Sequence, residues 1–387
     1  MKNFLKSRFS MWWKLIDLLF LFIPILLSFF VILVIFFLLK IDFFFFLSKL
    51  IQFSFLPDRS ISFLFQFLTI LIFSLGFMVT YLGGFFNIFI VTQILISNLL
   101  FSFLFNVIFS STSPIFKKTF LEWQIILLSV ILVLIINFIV VFFVFCIVKV
   151  INEIIFGVIM NTVFWFFIKD GLLGLAINFP RWSFTDASGK ITNLIPRRLS
   201  NFFFRWEVIF VFVLVSILLI SLVIYFISSS KWGLQLQAFQ SNPVAAATAG
   251  INSNPLLKGS YFIGAVLVTF ASLVRTLGIE QNISILESSP FILPEYVYIN
   301  VGIIGAYSSV TWILFSFFLA LLKNGEYLGE IFVQPPFIRE GIYLIFFLIM
   351  FIFILFSRKK EVKNLFWPII LEGKKKLLKF RKWISGN

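Results

Sequence analysis

Apolar stretches of about twenty residues recur along most of this chain. An α-helix that crosses a bilayer needs roughly 18 to 20 consecutive apolar residues, and such runs are rare in water-soluble domains. Hydrophobic residues make up 61 % of the 387 residues and charged residues 12 %, whereas soluble domains have about half and a quarter. The sequence therefore predicts an all-α, polytopic membrane protein. Its candidate spans are Leu18–Leu39, Ile61–Leu82, Gly84–Phe109, Glu122–Val148, Ile154–Ala176, Glu207–Ile227, Pro255–Ile279, Tyr298–Lys323 and Gly341–Phe356.

Basic residues concentrate at the two ends of the chain, in residues 1–17 before the first span and in the tail, residues 358–387. Lys and Arg beside membrane spans mark the cytoplasmic side. We therefore expect both termini to be cytoplasmic and the number of crossings to be even. The first apolar run lacks a small-residue cleavage site, so we interpret it as a retained helix. The net charge of +15 reflects this topology, and we expect no nucleic-acid partner.

Nine candidate spans conflict with an even number of crossings, and the weakest span resolves the conflict. Gly302 and Gly305 weaken the helix within Tyr298–Lys323. They are followed by two adjacent polar residues, Ser308 and Ser309. Two short helices with a break near Ser308 give about ten spans in a permease domain of residues 18–357. Broken helices at membrane depth occur only where they face protein or a water-filled cavity, as in a transport path.

With ten spans, residues 228–258 lie in the cytoplasm and residues 177–206 form an extracytoplasmic loop. The outer loop carries several basic residues, and basic residues favour the cytoplasmic side, so they argue against this orientation. The argument is weak, because longer loops are translocated with little regard to their charge.

The stretch from Ser241 to Ile251 turns small and polar and carries its own helix signals. Asn242 is a favourable N-cap, and Pro243 suits the first helical position. Gly250 suits the left-handed position that ends a helix. These signals predict a helix of about two turns, which needs a surface to dock on. The alternative is a tight loop between two spans.

The same stretch carries a family resemblance. Asn242-Pro243-Val244-Ala245-Ala246, continuing to Ala249-Gly250-Ile251, resembles the N-P-x-A-A-x-x-A-G-I signature of ABC-importer permeases for simple sugars and nucleosides. Gly84-Phe85-Phe86-Asn87-Ile88 with Gln93 is similar to the family's G-x-x-N-I-G-x-E-G-Q, although Phe89 and Val91-Thr92 depart from it. Asn152-Glu153-Ile154-Ile155 with Met160-Asn161 resembles a segment of the nucleoside-type branch. Ile299, Val301 and Gly305 match a segment near the last broken helices, and the resemblance covers roughly residues 60–357.

The resemblance implies a membrane subunit that works in a larger complex. Separate ATPase subunits would dock on the cytoplasmic face, beside a second permease subunit, and an extracytoplasmic substrate-binding protein would deliver a nucleoside or simple sugar. Consistent with this, the sequence has no G-x-x-x-x-G-K-[ST] phosphate loop of its own. The residues assigned to ATPase coupling are Asn242, Pro243, Ala245, Ala246, Ala249 and Gly250.

Polar residues inside the spans are candidates for the substrate path, because polar groups at membrane depth usually face the bundle interior. The candidates are Asn87, Gln93, Glu153 and Asn161. For the amides the alternative is an interhelical hydrogen bond that only holds helices together. For Glu153 it is a favourable position at a helix N-terminus.

The chain has no His and a single Cys, Cys146, so we expect no catalytic residue, metal site or cofactor. One rival class is a membrane-embedded transferase, but the acidic residues it needs for a metal-bound phosphate are dispersed. The other is a secondary transporter, which needs intramembrane carboxylates for ion coupling and no docking helix. The choice among nucleosides and ribose-like sugars stays open.

Overall fold

The structure is a computed structural model that describes residues 43–105, 122–148, 153–166, 202–278, 295–307 and 309–324, together with positions 30, 34 and 37. The chain divides into two compact units, residues 1–46 with 341–387 and residues 47–340. Most described residues belong to the second unit. The predicted span Gly341–Phe356, most of Leu18–Leu39, residues 177–201 of the predicted outer loop and the basic tail lie outside the described residues.

Every described element is an α-helix, which confirms the predicted all-α class. The helices are α1 (Phe43–Ser54), α2 (Pro57–Leu82), α3 (Ile90–Phe103), α4 (Glu122–Val148), α5 (Glu153–Phe166), α6 (Trp206–Ser229), α7 (Lys231–Ser241), α8 (Pro243–Thr248), α9 (Ser253–Gly278), α10 (Glu295–Tyr307) and α11 (Ser309–Asn324).

Within the described residues, four helices are long and apolar enough to cross a membrane, and each coincides with a predicted span. They comprise Arg59–Leu82, Glu122–Ile147, Trp206–Ser229 and Ser253–Gly278. In α2 and α9 most of the apolar window is buried, whereas in α4 and α6 only 28 % of it is buried. Helices α2 and α9 therefore form the centre of the second unit, and α4 and α6 present apolar surfaces suited to lipid.

Helices α2 and α9 run antiparallel and approach closely at glycines. A β-carbon at Gly76 in α2 would lie 3.3 Å from the β-carbon of Leu267 in α9. At the other end of the pair, a β-carbon at Gly278 would meet the ring of Phe65. Since residue 76 faces residue 267 while residue 65 faces residue 278, the two chains run in opposite directions. Small residues at such contacts let helix backbones pack closely, which is a main source of helix association in membranes.

The predicted span Gly84–Phe109 was wrong at its start, because helix α3 begins only at Ile90. Gly84 adopts φ 81°, and its N–H donates to the Tyr81 carbonyl at 2.9 Å while the Phe85 N–H donates to Thr80 at 3.1 Å. These are the two bonds of a Schellman motif, which ends a helix with a left-handed glycine. The chain then runs through residues 85–89 without helix. Apolar composition alone did not reveal this interruption.

Helices α10 and α11 form an antiparallel hairpin. The Lys323 ammonium donates to the Tyr298 hydroxyl at 2.8 Å across 25 positions of sequence. A continuous helix would separate residues that far apart by about 37 Å, so the chain reverses direction between them. This confirms an interruption within Tyr298–Lys323, although Ser308 itself lies outside the described residues.

The hairpin packs along α2. The Trp312 indole N–H in α11 donates to the Ser74 hydroxyl at 2.7 Å, and the Gln66 amide donates to the Tyr298 hydroxyl at 3.0 Å. Its helices have 13 and 16 residues, each shorter than the roughly 20 of a full crossing. An antiparallel pair returns the chain to the side of the membrane from which it came. The hairpin is therefore compatible with an even number of crossings, as expected when both termini are cytoplasmic. The total of about ten spans stays a prediction.

Gly302→Ala is expected to loosen this hairpin, because a β-carbon at Gly302 would lie 2.6 Å from the Ser74 carbonyl oxygen of α2. Overpacking of this kind costs about 1–3 kcal/mol. Gly264→Ala is the matched control, since its β-carbon would meet no atom closer than 3.5 Å and alanine favours a helix by about 1 kcal/mol over glycine. Melting temperatures of the detergent-solubilised protein should fall for the first variant and hold or rise for the second. Equal values would contradict the close packing of α10 on α2.

Candidate functional site

The short helix α8 begins as its sequence predicts. The Asn242 side-chain oxygen accepts the N–H of Ala245 at 3.0 Å, and Pro243 occupies the first helical position. The cap satisfies one of the N–H groups that a helix leaves without partners at its start, and proline has no such group to satisfy. The predicted helix start is confirmed.

The end of α8 is also the one predicted. Gly250 adopts φ 82°, its N–H donates to the Ala247 carbonyl at 3.0 Å, and the Ile251 N–H donates to Ala246 at 3.0 Å. This is the Schellman pattern with glycine in the left-handed position. No atom lies within 4 Å of a β-carbon placed on Gly250. A larger residue there would thus be penalised by the backbone conformation and not by crowding.

The side chains of α8 divide into one buried residue and an exposed majority. Ala246 is only 4 % exposed, whereas Val244 is 74 % exposed and Pro243, Ala245 and Ala249 are also exposed. The family resemblance assigns both Ala245 and Ala246 to ATPase coupling, which predicts that both face a partner. The structure instead buries Ala246 within this chain, so the surface open to a partner is formed by its exposed neighbours.

Helix α7 connects α8 to the rest of the second unit. It starts at Ser230, whose hydroxyl accepts the Gly233 N–H at 3.0 Å. Its Leu236 and Phe239 lie against the turn that ends α2. A β-carbon placed on Gly83 would lie 3.1 Å from Leu236, and one placed on Gly84 would lie 3.1 Å from Phe239, so only glycines fit closely here. The Phe239 ring also stacks on Phe85 at 6.0 Å between centroids. A displacement of α8 can therefore reach the segment 83–89 through one short helix.

Asn87 and Gln93, two of the predicted path residues, have buried amides without hydrogen-bond partners. Asn87 lies in the non-helical segment before α3 and is 2 % exposed, and Gln93 lies in the first turn of α3 and is fully buried. Neither the nitrogen nor the oxygen of either amide has a partner. Buried polar groups are normally satisfied, because an unmade bond costs about 1–3 kcal/mol. These two amides therefore stand out as groups that an additional polar molecule would stabilise.

Asn161, the third predicted path residue, is fully engaged within the protein. Its side-chain oxygen accepts the Thr92 N–H at 3.1 Å and the Thr92 hydroxyl, and its nitrogen donates to the Ile88 carbonyl at 3.2 Å and the Tyr296 hydroxyl at 2.9 Å. It holds α5 against the start of α3 and against α10. In this structure it performs the interhelical role that was its alternative interpretation.

Glu153, the fourth candidate, is the first residue of α5. A carboxylate there is favourable to the helix dipole, as its alternative interpretation held. Its side chain lies outside the described part of the structure. Among the described residues, no group of three His, Cys, Asp or Glu side chains comes together as a metal site.

Sequence reasoning missed Asn137, a fully buried amide of α4. Its nitrogen donates to the Ser97 hydroxyl at 2.8 Å and the Thr269 hydroxyl at 2.7 Å, so it joins α4 to α3 and α9. An amide in the middle of a long apolar run is itself a signal for an inward-facing position. This signal at Asn137 would have predicted that its side chain faces the interior of the helix bundle.

Comparison with known proteins identifies a family to which most of the chain is similar. Residues 60–355 match the family model described as the permease component of the branched-chain amino acid transport system. The matched range includes α3 to α11 and nearly all of α2, and with them α8 and the buried amides. No curated protein and no solved structure matches the chain.

Proposed function

We propose that this chain, which belongs to the permease family of ABC transporters, forms the path by which a neutral solute, a nucleoside or a simple sugar, crosses the membrane. A subunit of this family is a multi-pass membrane protein and works with an ATPase and a substrate-binding protein. The family description names branched-chain amino acids, but it describes the family and not the solute of this chain. We therefore infer the solute from the chemistry of the buried polar residues.

The chemistry of the buried polar residues supports a neutral solute. Among the described residues these side chains are amides and hydroxyls, and Arg275 is the one charged side chain that is buried. Arg275 lies in the last turn of α9, where a cation is favourable to the helix dipole. A zwitterionic amino acid leaves water readily only when charged or strongly polar groups replace its hydration. Sugars and nucleosides carry hydroxyl, carbonyl and N–H groups, which amides match.

Helix α8 is the proposed docking site for the ATPase. Its exposed side chains are small apart from Val244, so a partner can approach the backbone closely. Because it has only six residues, it depends on packing for its stability. Movement imposed on α8 would travel through α7 to the glycine turn and to Asn87.

The proposed orientation puts both termini and α8 in the cytoplasm. The end of α2, the end of α6 and the start of α9 lie on the same side as α7, because α7 contacts the Gly83–Gly84 turn and Trp232 packs on Gly259. The basic termini assign this side to the cytoplasm. In a Cys146→Ser background, a cysteine at Ser241 should react with an impermeant reagent only from the cytoplasmic side, and labelling from outside would reverse the orientation.

Purification tests the proposed assembly with an ATPase and a second permease subunit. We expect a tagged chain, extracted in mild detergent, to carry both proteins with it in fixed ratio. The expectation rests on a docking helix in a sequence without a phosphate loop. Recovery of a stable, monodisperse monomer that lacks both proteins would contradict the assembly.

A further inference from the structure

A cluster of buried polar side chains lies between α3, α4 and α9, and we call it the amide seam. Its members are Gln93 and Ser97 of α3, Asn137 of α4 and Thr269 of α9. All four are buried, Thr269 being 1 % exposed and the others fully inaccessible. No member carries a charge, so the polar contacts that the seam can make with a ligand are hydrogen bonds between neutral groups.

The hydrogen bonds of the amide seam fix the orientation of Asn137. The Ser97 hydroxyl donates to the Gln93 carbonyl at 2.7 Å, and the Thr269 hydroxyl donates to the Ala265 carbonyl at 2.8 Å. A hydroxyl has a single hydrogen, so both oxygens can only accept from Asn137. The Asn137 nitrogen supplies both bonds, at 2.8 Å and 2.7 Å. Rotating the amide by 180° would set its oxygen against two acceptors.

This arrangement leaves the Asn137 side-chain oxygen as a buried acceptor with no donor. The amide cannot turn to find one without losing two hydrogen bonds. If Asn137 only joined helices, the two hydrogen bonds from its nitrogen would be sufficient for that role. Burying its oxygen without a donor would then only reduce the stability of the protein. A buried acceptor held in one direction is suited to a hydroxyl or N–H group that is not part of this chain.

Gln93 adds a second group to the same seam. Its backbone carbonyl is linked through Ser97 to Asn137, and its side-chain amide has neither a donor nor an acceptor partner. The seam thus offers one fixed acceptor at Asn137 and one amide at Gln93 that can both donate and accept.

We propose that the amide seam is a binding station for a neutral solute, in which the Asn137 side-chain oxygen accepts a hydroxyl or N–H hydrogen and Gln93 completes the contact. The station rests on the proposed function, and it adds Asn137 as a specificity-determining residue. It favours solutes with a hydrogen-bond donor at one defined position and discriminates against analogues that lack only that donor.

The test is competition binding on the permease–ATPase complex in nanodiscs with tritiated uridine, and with labelled ribose as a second arm. The competitors are 2′-deoxy-, 3′-deoxy- and 5′-deoxyuridine and 3-methyluridine, each of which lacks one donor. In the wild type, one analogue should compete about tenfold more weakly than uridine, the loss expected for one hydrogen bond. In Asn137→Leu the ratio between the competition strengths of uridine and that analogue should fall to about one, because the acceptor is gone. The fold should survive, since the Ser97 and Thr269 hydroxyls keep their bonds to backbone carbonyls.

Gln66→Leu is the control for a purely structural role, because it removes a buried amide bond between helices, from Gln66 to the Tyr298 hydroxyl at 3.0 Å, that lies outside the amide seam. It should keep the tenfold ratio. A ratio that is unchanged in Asn137→Leu, or absent in the wild type, would overturn the station. If Asn137→Leu fails to assemble, Asn137→Ala, which also lacks the acceptor, is judged by the same ratio. A wild-type complex that binds neither uridine nor ribose would instead overturn the proposed solute class, and the station with it.

Discussion

Replacing Ala245 by Glu is expected to abolish substrate-stimulated ATP hydrolysis while the membrane unit stays folded. Ala245 is exposed on α8, and substitutions at such positions usually change stability by about 0.5 kcal/mol or less. In the assembled complex the same side chain would lie in a packed contact with the ATPase. A buried, unpaired carboxylate there costs several kcal/mol, which lowers the affinity of docking by more than a hundredfold.

Two further variants separate docking from folding. Ala245→Ser adds one oxygen and no charge at the same position, so it should keep most of the stimulation. Ala246→Glu should act differently, because Ala246 is 4 % exposed and the charge would displace α8 from its own chain and reduce the yield of folded protein. Full stimulation in Ala245→Glu, with the complex intact, would show that this segment is an ordinary loop.

Gln93→Met and Asn161→Leu are expected to have opposite effects on stability. The Gln93 side chain makes no hydrogen bond, so its replacement by an apolar residue of similar size breaks none and should hold or raise the melting temperature. Asn161→Leu removes bonds to Thr92, Ile88 and Tyr296. At about 1 kcal/mol for each partner, it should cost about 3 kcal/mol and lower the melting temperature clearly.

Transport provides the second readout for this pair. Gln93→Met should reduce solute uptake by about tenfold or more at low solute concentration, because it removes a group assigned to the path. Asn161→Leu should reduce uptake in proportion to the loss of folded protein. Stable Gln93→Met protein with undiminished uptake would remove Gln93 from the path, and unchanged stability in Asn161→Leu would contradict its role between α3, α5 and α10.

Features that depend on a few neighbouring residues could be predicted from the sequence. The cap at Asn242, the left-handed Gly250 and the interruption of Tyr298–Lys323 all follow from local backbone preferences. The long helices α2, α4, α6 and α9 follow from the length of their apolar runs, since a lipid environment demands helices of that length.

Features that depend on tertiary partners could not be predicted in the same way. Asn87 and Asn161 are both amides in apolar surroundings, yet one has no partner and the other has four bonded groups. Ala245 and Ala246 are identical neighbours with opposite exposure. Residue type indicates that a group is placed inward, and only the packing of distant helices decides whether it is already satisfied.

ATP-driven uptake into proteoliposomes tests the central claim most directly. The purified complex is reconstituted with its substrate-binding protein, and labelled uridine or ribose is followed with ATP supplied only on the side that carries α8. We predict uptake that needs ATP on that side, is lost in Ala245→Glu and is unaffected by proton or sodium gradients. Uptake by this chain alone, driven by an ion gradient in the absence of an ATPase, would contradict the account.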